Sequence, residues 1–327
     1  MKVLILGGAG MVGQKLVSHL VQNGSSLGTV SELILHDIVE ARLPQNASFA
    51  SRAMVGNCAE ADEARKLADL KADVIFHLAA IVSGEAEQNF EKGWDINARG
   101  TWHLLDAIRD VSAQGSEPYV PKIIFTSSIA VFGGPYPEKI SDEFLCAPQT
   151  SYGAQKAMTE LLIGDYSRKG FVDGVSIRLP TICVRPGKPN LAASSFFSGI
   201  IREPLNGQEA ILPVPDTVRH WHASPRSAAG FLAHAMDMDL AKLESRRSLN
   251  MPGFSCFVEE QIEALRKIAG EEVVSLIKPQ PDEAIMAIVK NWPENFDPQR
   301  AIELGFKAED SFEEIIQIYI DEDLPSN

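Results

Sequence analysis

A short apolar run over residues 3–6 ends in Gly7-Gly8-Ala9-Gly10-Met11-Val12-Gly13, and a helix-forming stretch over 14–21 follows. No other stretch limits the possible folds as strongly. A buried strand, a glycine-rich turn and a helix, in that order, are the context in which a dinucleotide can be bound. Gly7, Gly10 and Gly13 have separate uses. One turns the chain, one lets the backbone approach a pyrophosphate, and one allows close packing of helix on strand. The phosphate charge then lies at the helix N-terminus. The spacing, Gly-x-x-Gly-x-x-Gly, is a variant of the usual fingerprint, and the next strand supports it. Leu33-Ile-Leu-His-Asp37 is an apolar strand ending in a carboxylate. Asp37 is placed to bind both hydroxyls of an adenosine ribose and to repel a 2′-phosphate, so NAD is expected rather than NADP.

The alternation continues. A third strand is expected over 53–55, a helix over 60–70, and a fourth strand over 73–78 that ends in the small residues Ala79 and Ala80. Residues 89–110 read as one long helix. Asn97 and Gly100 inside it cost helix stability, which implies a use beyond packing. Residues 122–126 and 175–179 read as the fifth and sixth strands. Strands alternating with helices give a Rossmann-type, doubly wound α/β fold, a parallel sheet covered on both faces. Ligands of such a sheet sit at the strands' C-terminal ends, where Gly7, Asp37, Ala79 and Ser128 all fall.

Tyr152 and Lys156 stand four residues apart in a helix-forming segment, which puts them on one face. A phenol ordinarily ionises near pH ~10, and a neighbouring ammonium favours the phenolate. The pair can therefore act as an acid/base. The net charge of −14 argues against non-specific binding to nucleic acid or to an anionic membrane. The widely spaced Cys58, Cys146, Cys183 and Cys256 form no Cys-x-x-Cys, as expected of reduced thiols in a cytoplasmic protein. The apolar start is too short for a signal peptide. No stretch approaches the roughly 20 apolar residues of a membrane helix. His220 and His222 have no third ligand nearby in the sequence, so no metal is expected.

Taken together, the glycine fingerprint, His77-Leu-Ala-Ala80, Asn97 with Gly100-Thr101, Thr126-Ser-Ser-Ile-Ala-Val-Phe-Gly133, Tyr152 to Lys156, Arg178-Leu-Pro-Thr-Ile182 and Arg219-His-Trp-His222 resemble the extended short-chain dehydrogenases/reductases. That group contains nucleotide-sugar epimerases and dehydratases. The resemblance implies that Tyr152 is the acid/base, that Lys156 holds the nicotinamide ribose and lowers the Tyr pKa, and that Ser128, five residues before Gly133, bonds the reacting oxygen. It implies an NAD site made of Gly7, Gly10, Met11, Val12, Gly13, Asp37, Ile38, Asn57, Leu78, Ala79, Ala80, Asn97, Tyr152, Lys156, Pro180 and Ile182. It also implies a homodimer through the helices of 89–110 and 152–168. The expected organisation is a cofactor domain over 1–182 with a return segment at 221–248, and a substrate lobe over 183–220 and 249–327. In the lobe, residues 249–251, the segment 258–270, a helix within 279–295, and closing helices over 297–306 and 311–320 are expected.

Departures from the group's pattern bear on the substrate. Nucleotide-sugar enzymes usually follow the sixth strand with Asn-Val-Tyr-Gly-Pro, where this chain has Thr181-Ile-Cys-Val-Arg-Pro186. The Gly-Asp-Gly turn and Arg-Asp-Phe/Tyr of those enzymes are replaced by Pro213 to His222. Arg185 and Arg219 remain, and guanidinium suits a carboxylate. The lobe resembles the small sugar-acid dehydrogenases of the group. The expected activity is NAD-dependent oxidation of a sugar-acid hydroxyl. An Arg, with Ser83 or Asn190, would fix the carboxylate beside Ser128 and Tyr152. A nucleotide-sugar epimerase with tightly held NAD is the alternative. An NAD sensor without turnover would have no need of Ser128, Tyr152 and Lys156.

Overall fold

The structure, a computed structural model, describes residues 1–187 and 193–325. In chain order the first elements are β1 (Lys2–Leu6), α1 (Met11–Asn23), β2 (Glu32–Asp37), β3 (Ala50–Val55), α2 (Ala61–Asp69), β4 (Val74–His77), α3 (Ser83–Gln88), α4 (Phe90–Trp94), α5 (Gly100–Gln114) and β5 (Lys122–Ser128). Then come β6 (Ile140–Ser141), α6 (Ser151–Arg168), β7 (Asp173–Leu179), β8 (Thr181–Ile182), α7 (Ser195–Leu205), β9 (Ala210–Leu212), β10 (Arg219–Ala223), α8 (Pro225–Asp237) and β11 (Ser248–Asn250). The last are β12 (Phe254–Phe257), α9 (Val258–Ala269), α10 (Glu271–Val274), β13 (Ile277–Pro279), α11 (Glu283–Val289), β14 (Phe296–Asp297), α12 (Gln299–Glu303) and α13 (Phe312–Glu322).

The chain divides into two units. One comprises Met1–Val131, Pro148–Arg178 and Ala229–Leu249; the other comprises Phe132–Ala147, Leu179–Ala228 and Asn250–Asn327. The first is built on a seven-stranded sheet of order β11-β7-β5-β4-β1-β2-β3. β1 runs parallel to both β2 and β4, so the strand order reverses between β1 and β4. That reversal opens a crevice at the strands' C-terminal ends. Val3 to Leu6, Leu33 to Leu35 and Val74 to Phe76 are buried apolar residues, as expected for strands covered on both faces. Each such side chain contributes at most about 1.5–3 kcal/mol by burial. Leu4, Ile34 and Ile75 pack with Leu67 of α2 and Leu104, Leu105 and Ile108 of α5 in one core.

Three differences from the sequence reading have physical causes. The expected helix over 89–110 is not continuous. α4 passes through a single π turn, Asp95–Arg99, before α5 begins. Asn97 lies in that turn, its side chain taken up by Ile81 and Gln155 instead of by solvent. Residues 249–251, expected in the lobe, divide: Leu249 stays in the first unit within β11 at the edge of the main sheet, and Asn250 and Met251 fall in the second unit. Arg247 reaches Asp173 of β7, Ser176 N–H donates to the Arg247 carbonyl, and Leu249 is fully buried. The helix expected over 297–306 is shortened to α12, whereas α13 covers the one expected over 311–320 and α11 falls within 279–295. α11 starts at the Asp282 cap, which accepts from the N–H groups of Ala284 and Ile285. α12 is bounded by Pro298 and by Gly305, whose φ of 94° ends the turn.

The second unit has a three-stranded sheet, β12-β10-β8, and the pairs β13-β9 and β14-β6. Its core gathers Phe197, Ile200 and Ile201 of α7, Leu265 of α9, and Phe312, Ile315 and Ile316 of α13. His220 and His222 are buried in it. His220 stacks on Phe197, and Thr181 Oγ1 is 2.7 Å from its Nε2. His222 meets Phe197 and Phe312 edge-on and Gln261 at 3.0 Å. Burial pushes the His220 imidazole down to about 3 and that of His222 well below its usual value, so both are neutral packing groups. Among the described residues no cluster of three or more His, Cys, Asp or Glu could hold a metal ion, and no helix is long and apolar enough to cross a membrane.

Candidate active site

The glycine turn is shaped by close approaches. A Cβ at Gly7, where φ is +85°, would lie 2.8 Å from the Ala79 backbone nitrogen. One at Gly13 would lie 2.5 Å from the Gly7 carbonyl oxygen. Gly10 is the N-cap of α1, and no side chain caps the first turn. The N-terminal donors of a 13-residue helix are thus left to an anionic ligand. Asp37 ends β2 beside this turn. Its Oδ2 accepts from Ala9 N–H at 2.9 Å and its Oδ1 from Ile38 N–H at 2.7 Å. The carboxylate is therefore held next to the glycine backbone, with Ile38 exposed beyond it. A glycine cradle, an uncapped helix and an acid at the second strand end fit a dinucleotide whose ribose is not phosphorylated.

The other expected cofactor residues divide. Leu78 and Ala79, half-buried, and Ala80, exposed, follow β4 at the crevice. Asn97 accepts from Ile81 N–H and so fixes the segment after Ala80. Asn57 lies in the turn that precedes α2, accepting from Ala59 N–H and donating to the Glu60 side chain. Pro180 and Ile182 belong to the second unit, with Ile182 buried opposite Ala223.

Ser128, Tyr152 and Lys156 all lie in the first unit. α6 starts at Thr150, whose side chain accepts from Gly153 N–H. Gly153 is required there, because a Cβ would lie 2.1 Å from the Ala130 carbonyl oxygen. This seats Tyr152, in the first turn of α6, by the segment that follows β5. Ser128 is the last residue of β5, half-buried, and its Oγ accepts from Ala130 N–H at 3.1 Å. Lys156 is 1% exposed. Its Nζ donates to the Thr126 carbonyl at 2.8 Å, and lies 4.5 Å from the Phe125 ring centroid and 5.6 Å from that of Tyr152. Burial pushes the Lys156 ammonium down to about 7, opposed by the charge of Glu160. Burial and then the Lys156 charge push His77 down to about 3, so that imidazole is neutral.

Glu160 went unrecognised in the sequence. It accepts from Ser127 Oγ and from Arg178 through both Nε and Nη2, the last at 2.7 Å. The available signal was a further four-residue step, Tyr152, Lys156, Glu160, along one helix face.

The expected substrate residues also divide. Ser83 opens α3 in the first unit. Asn190 lies outside the described residues. Arg185 and Arg219 are in the second unit and differ in what they bind. Arg185 donates through Nε to the Ile182 carbonyl and through Nη2 to Ser194 Oγ, and its own backbone is bonded by Ser198 and Arg202. This guanidinium braces its loop. Arg219 lies opposite Phe257 across β10 and β12, its guanidinium carbon 5.4 Å from the ring centroid. Its Nε is buried and meets no acceptor among the described residues.

Comparison with known proteins agrees with this architecture. A D-erythronate dehydrogenase of Haemophilus influenzae is 43% identical over 324 residues, 99% of this chain and 100% of that one. A D-erythronate dehydrogenase of Cupriavidus necator is 42% identical over 328 residues, 98% of each chain. A solved structure described as the nucleoside-diphosphate-sugar epimerase of Agrobacterium tumefaciens is 56% identical, with a TM-score of 0.95, covering 99% of this chain and 94% of that one. Residues 3–224 match the NAD dependent epimerase/dehydratase family. On the sheet, the glycine turn and these full-length likenesses, the chain belongs to the NAD dependent epimerase/dehydratase family.

Proposed function

We propose that this protein oxidises a hydroxyl group of D-erythronate or a closely similar short sugar acid, with NAD as the hydride acceptor. The full-length similarity to two D-erythronate dehydrogenases carries this reading. Tyr152 removes the hydroxyl proton, Ser128 bonds the same oxygen, and Lys156 favours the phenolate and bonds the nicotinamide ribose. NAD supplies the hydride acceptor at its nicotinamide ring. The turn Gly7 to Gly13 holds the pyrophosphate, and Asp37 the adenosine ribose. Arg219 binds the substrate carboxylate, and its buried Nε, unmet among the described residues, supports this choice over Arg185. Purified protein should form NADH in proportion to the D-erythronate consumed. No NADH from any short sugar acid would contradict the reading.

The epimerase reading has one specific observation in its favour, the description of the Agrobacterium tumefaciens structure. Against it stand Thr181 to Pro186 and Pro213 to His222, where the usual diphosphate-reading sequence is absent.

Cofactor choice gives a separate expectation. A 2′-phosphate beside the Asp37 carboxylate sets like charges together, which costs several kcal/mol. NAD should therefore be preferred over NADP by about 10²-fold or more in kcat/KM. The Asp37→Asn variant should narrow that preference. Equal kcat/KM for the two cofactors in the wild type would remove Asp37 from this role.

We also propose a homodimer through α5 and α6. Trp102 on α5 and Met158 and Leu161 on α6 are exposed, Leu161 at 77%. Such apolar side chains on neighbouring helices are suited to burial against a second copy. Sedimentation at micromolar concentration should show a dimer that Leu161→Glu converts to monomer. A monomeric wild type would refute the assignment.

A further inference from the structure

Lys156 is an ammonium enclosed by protein, and burial alone favours its neutral form. The groups around it come from four elements. From β5 it meets the Phe125 ring and the Thr126 carbonyl. α6 contributes Tyr152 one turn before it and Glu160 one turn after it. β4 contributes His77, which is neutral. β7 contributes Arg178, committed to Glu160. Glu160 lies one helical turn beyond Lys156 on the same face of α6, and its charge opposes the effect of burial.

The carboxylate is itself fixed. Arg178 grips both oxygens and Ser127 Oγ donates to one of them, with the Glu160 and Arg178 side chains only 4% and 11% exposed. A buried ion pair of this kind is weak as a stabiliser, because desolvation offsets most of the attraction. Its place one helical turn beyond Lys156 gives it another use. Ser127 and Ser128 are successive residues of a strand and point to opposite sides. Ser127 can therefore hold Glu160 while Ser128 remains directed at the crevice.

We propose that Glu160 is a positioning residue for the Tyr152–Lys156 pair, clamped by Arg178 and Ser127 so that it supplies the fixed negative charge that keeps buried Lys156 an ammonium. This rests on the reading of Lys156 as the cationic partner of Tyr152. Losing the charge lets Lys156 give up its proton at lower pH. Activity should then fail earlier on the alkaline side.

Glu160→Gln tests this, since the amide oxygen can still accept from Arg178 and Ser127 while the charge is lost. With D-erythronate and NAD, kcat at neutral pH should fall about tenfold, and the alkaline limb of the kcat–pH profile should move down by about one pH unit. The double variant Glu160→Gln/Arg178→Met removes both charges of the pair and should show a displacement in the same direction but smaller, because the lost guanidinium no longer opposes the ammonium. It decides the matter if the single variant does not fold. A folded variant with an unmoved profile overturns the proposal even if kcat drops. Failure of both variants to fold also overturns it, because the pair is then structural. If Tyr152→Phe keeps its activity, the site reading itself fails. If Tyr152→Phe is inactive while the Glu160→Gln profile is unmoved, only the role of Glu160 fails.

Discussion

Tyr152→Phe should lose turnover by about 10²-fold or more while binding NAD nearly as the wild type does. The substitution removes one oxygen and leaves the ring, so the packing in the first turn of α6 is retained. Thr150 and Gly153, which fix the start of that helix, are unaffected. The pyrophosphate and adenosine ribose are assigned to Gly7–Gly13 and Asp37, on other elements of the same unit. What disappears is the group proposed to accept the substrate's proton. Lys156 cannot replace it. Its Nζ is buried and bonded to the Thr126 carbonyl. Steady-state turnover and NAD titration on the same preparation separate the two effects. A variant that keeps most of its turnover would show that Tyr152 is not the base.

Arg219→Lys should raise KM for D-erythronate by about 10- to 10²-fold, the range expected when hydrogen bonds to a charged group worth 1.5–3 kcal/mol are lost. Lysine keeps the charge but has no planar fork for the two carboxylate oxygens. Arg185→Lys should behave differently. Its guanidinium bonds Ile182 and Ser194, so the variant should lose stability in the second unit with a smaller change in KM. KM for NAD should stay near wild type in both. Measuring KM and thermal stability for the two variants separates a substrate ligand from a structural brace. A wild-type KM in Arg219→Lys would exclude that residue as the carboxylate ligand.

The parts of the fold legible in the sequence were those set by local pattern. The glycine turn declares itself because backbone meets backbone at Gly7 and Gly13, where no side chain fits. The central strands are continuous apolar runs, as strands buried on both faces must be. Tyr152 and Lys156 could be paired because helical periodicity alone brings them together. Features made by distant segments were hidden. Arg178 meets Glu160 only after β7 has been laid in the sheet beside β5. The break at Asp95–Arg99 depends on Asn97 finding Ile81 and Gln155. β11 has three residues, too few for any periodic signal. Residues 132–147 join the second unit through pairings such as β6 with β14, more than a hundred residues later in the chain. The two arginines looked equivalent in sequence because what separates them is the partners each finds in the folded lobe.

The most direct measurement follows NADH under multiple turnover, with purified protein and free NAD, on D-erythronate and on UDP-glucose in parallel. A dehydrogenase of the proposed kind accumulates NADH in solution with D-erythronate, in proportion to the acid consumed, and leaves UDP-glucose unchanged. Interconversion of UDP-glucose and UDP-galactose with no net NADH, together with no reaction on D-erythronate, would contradict the account.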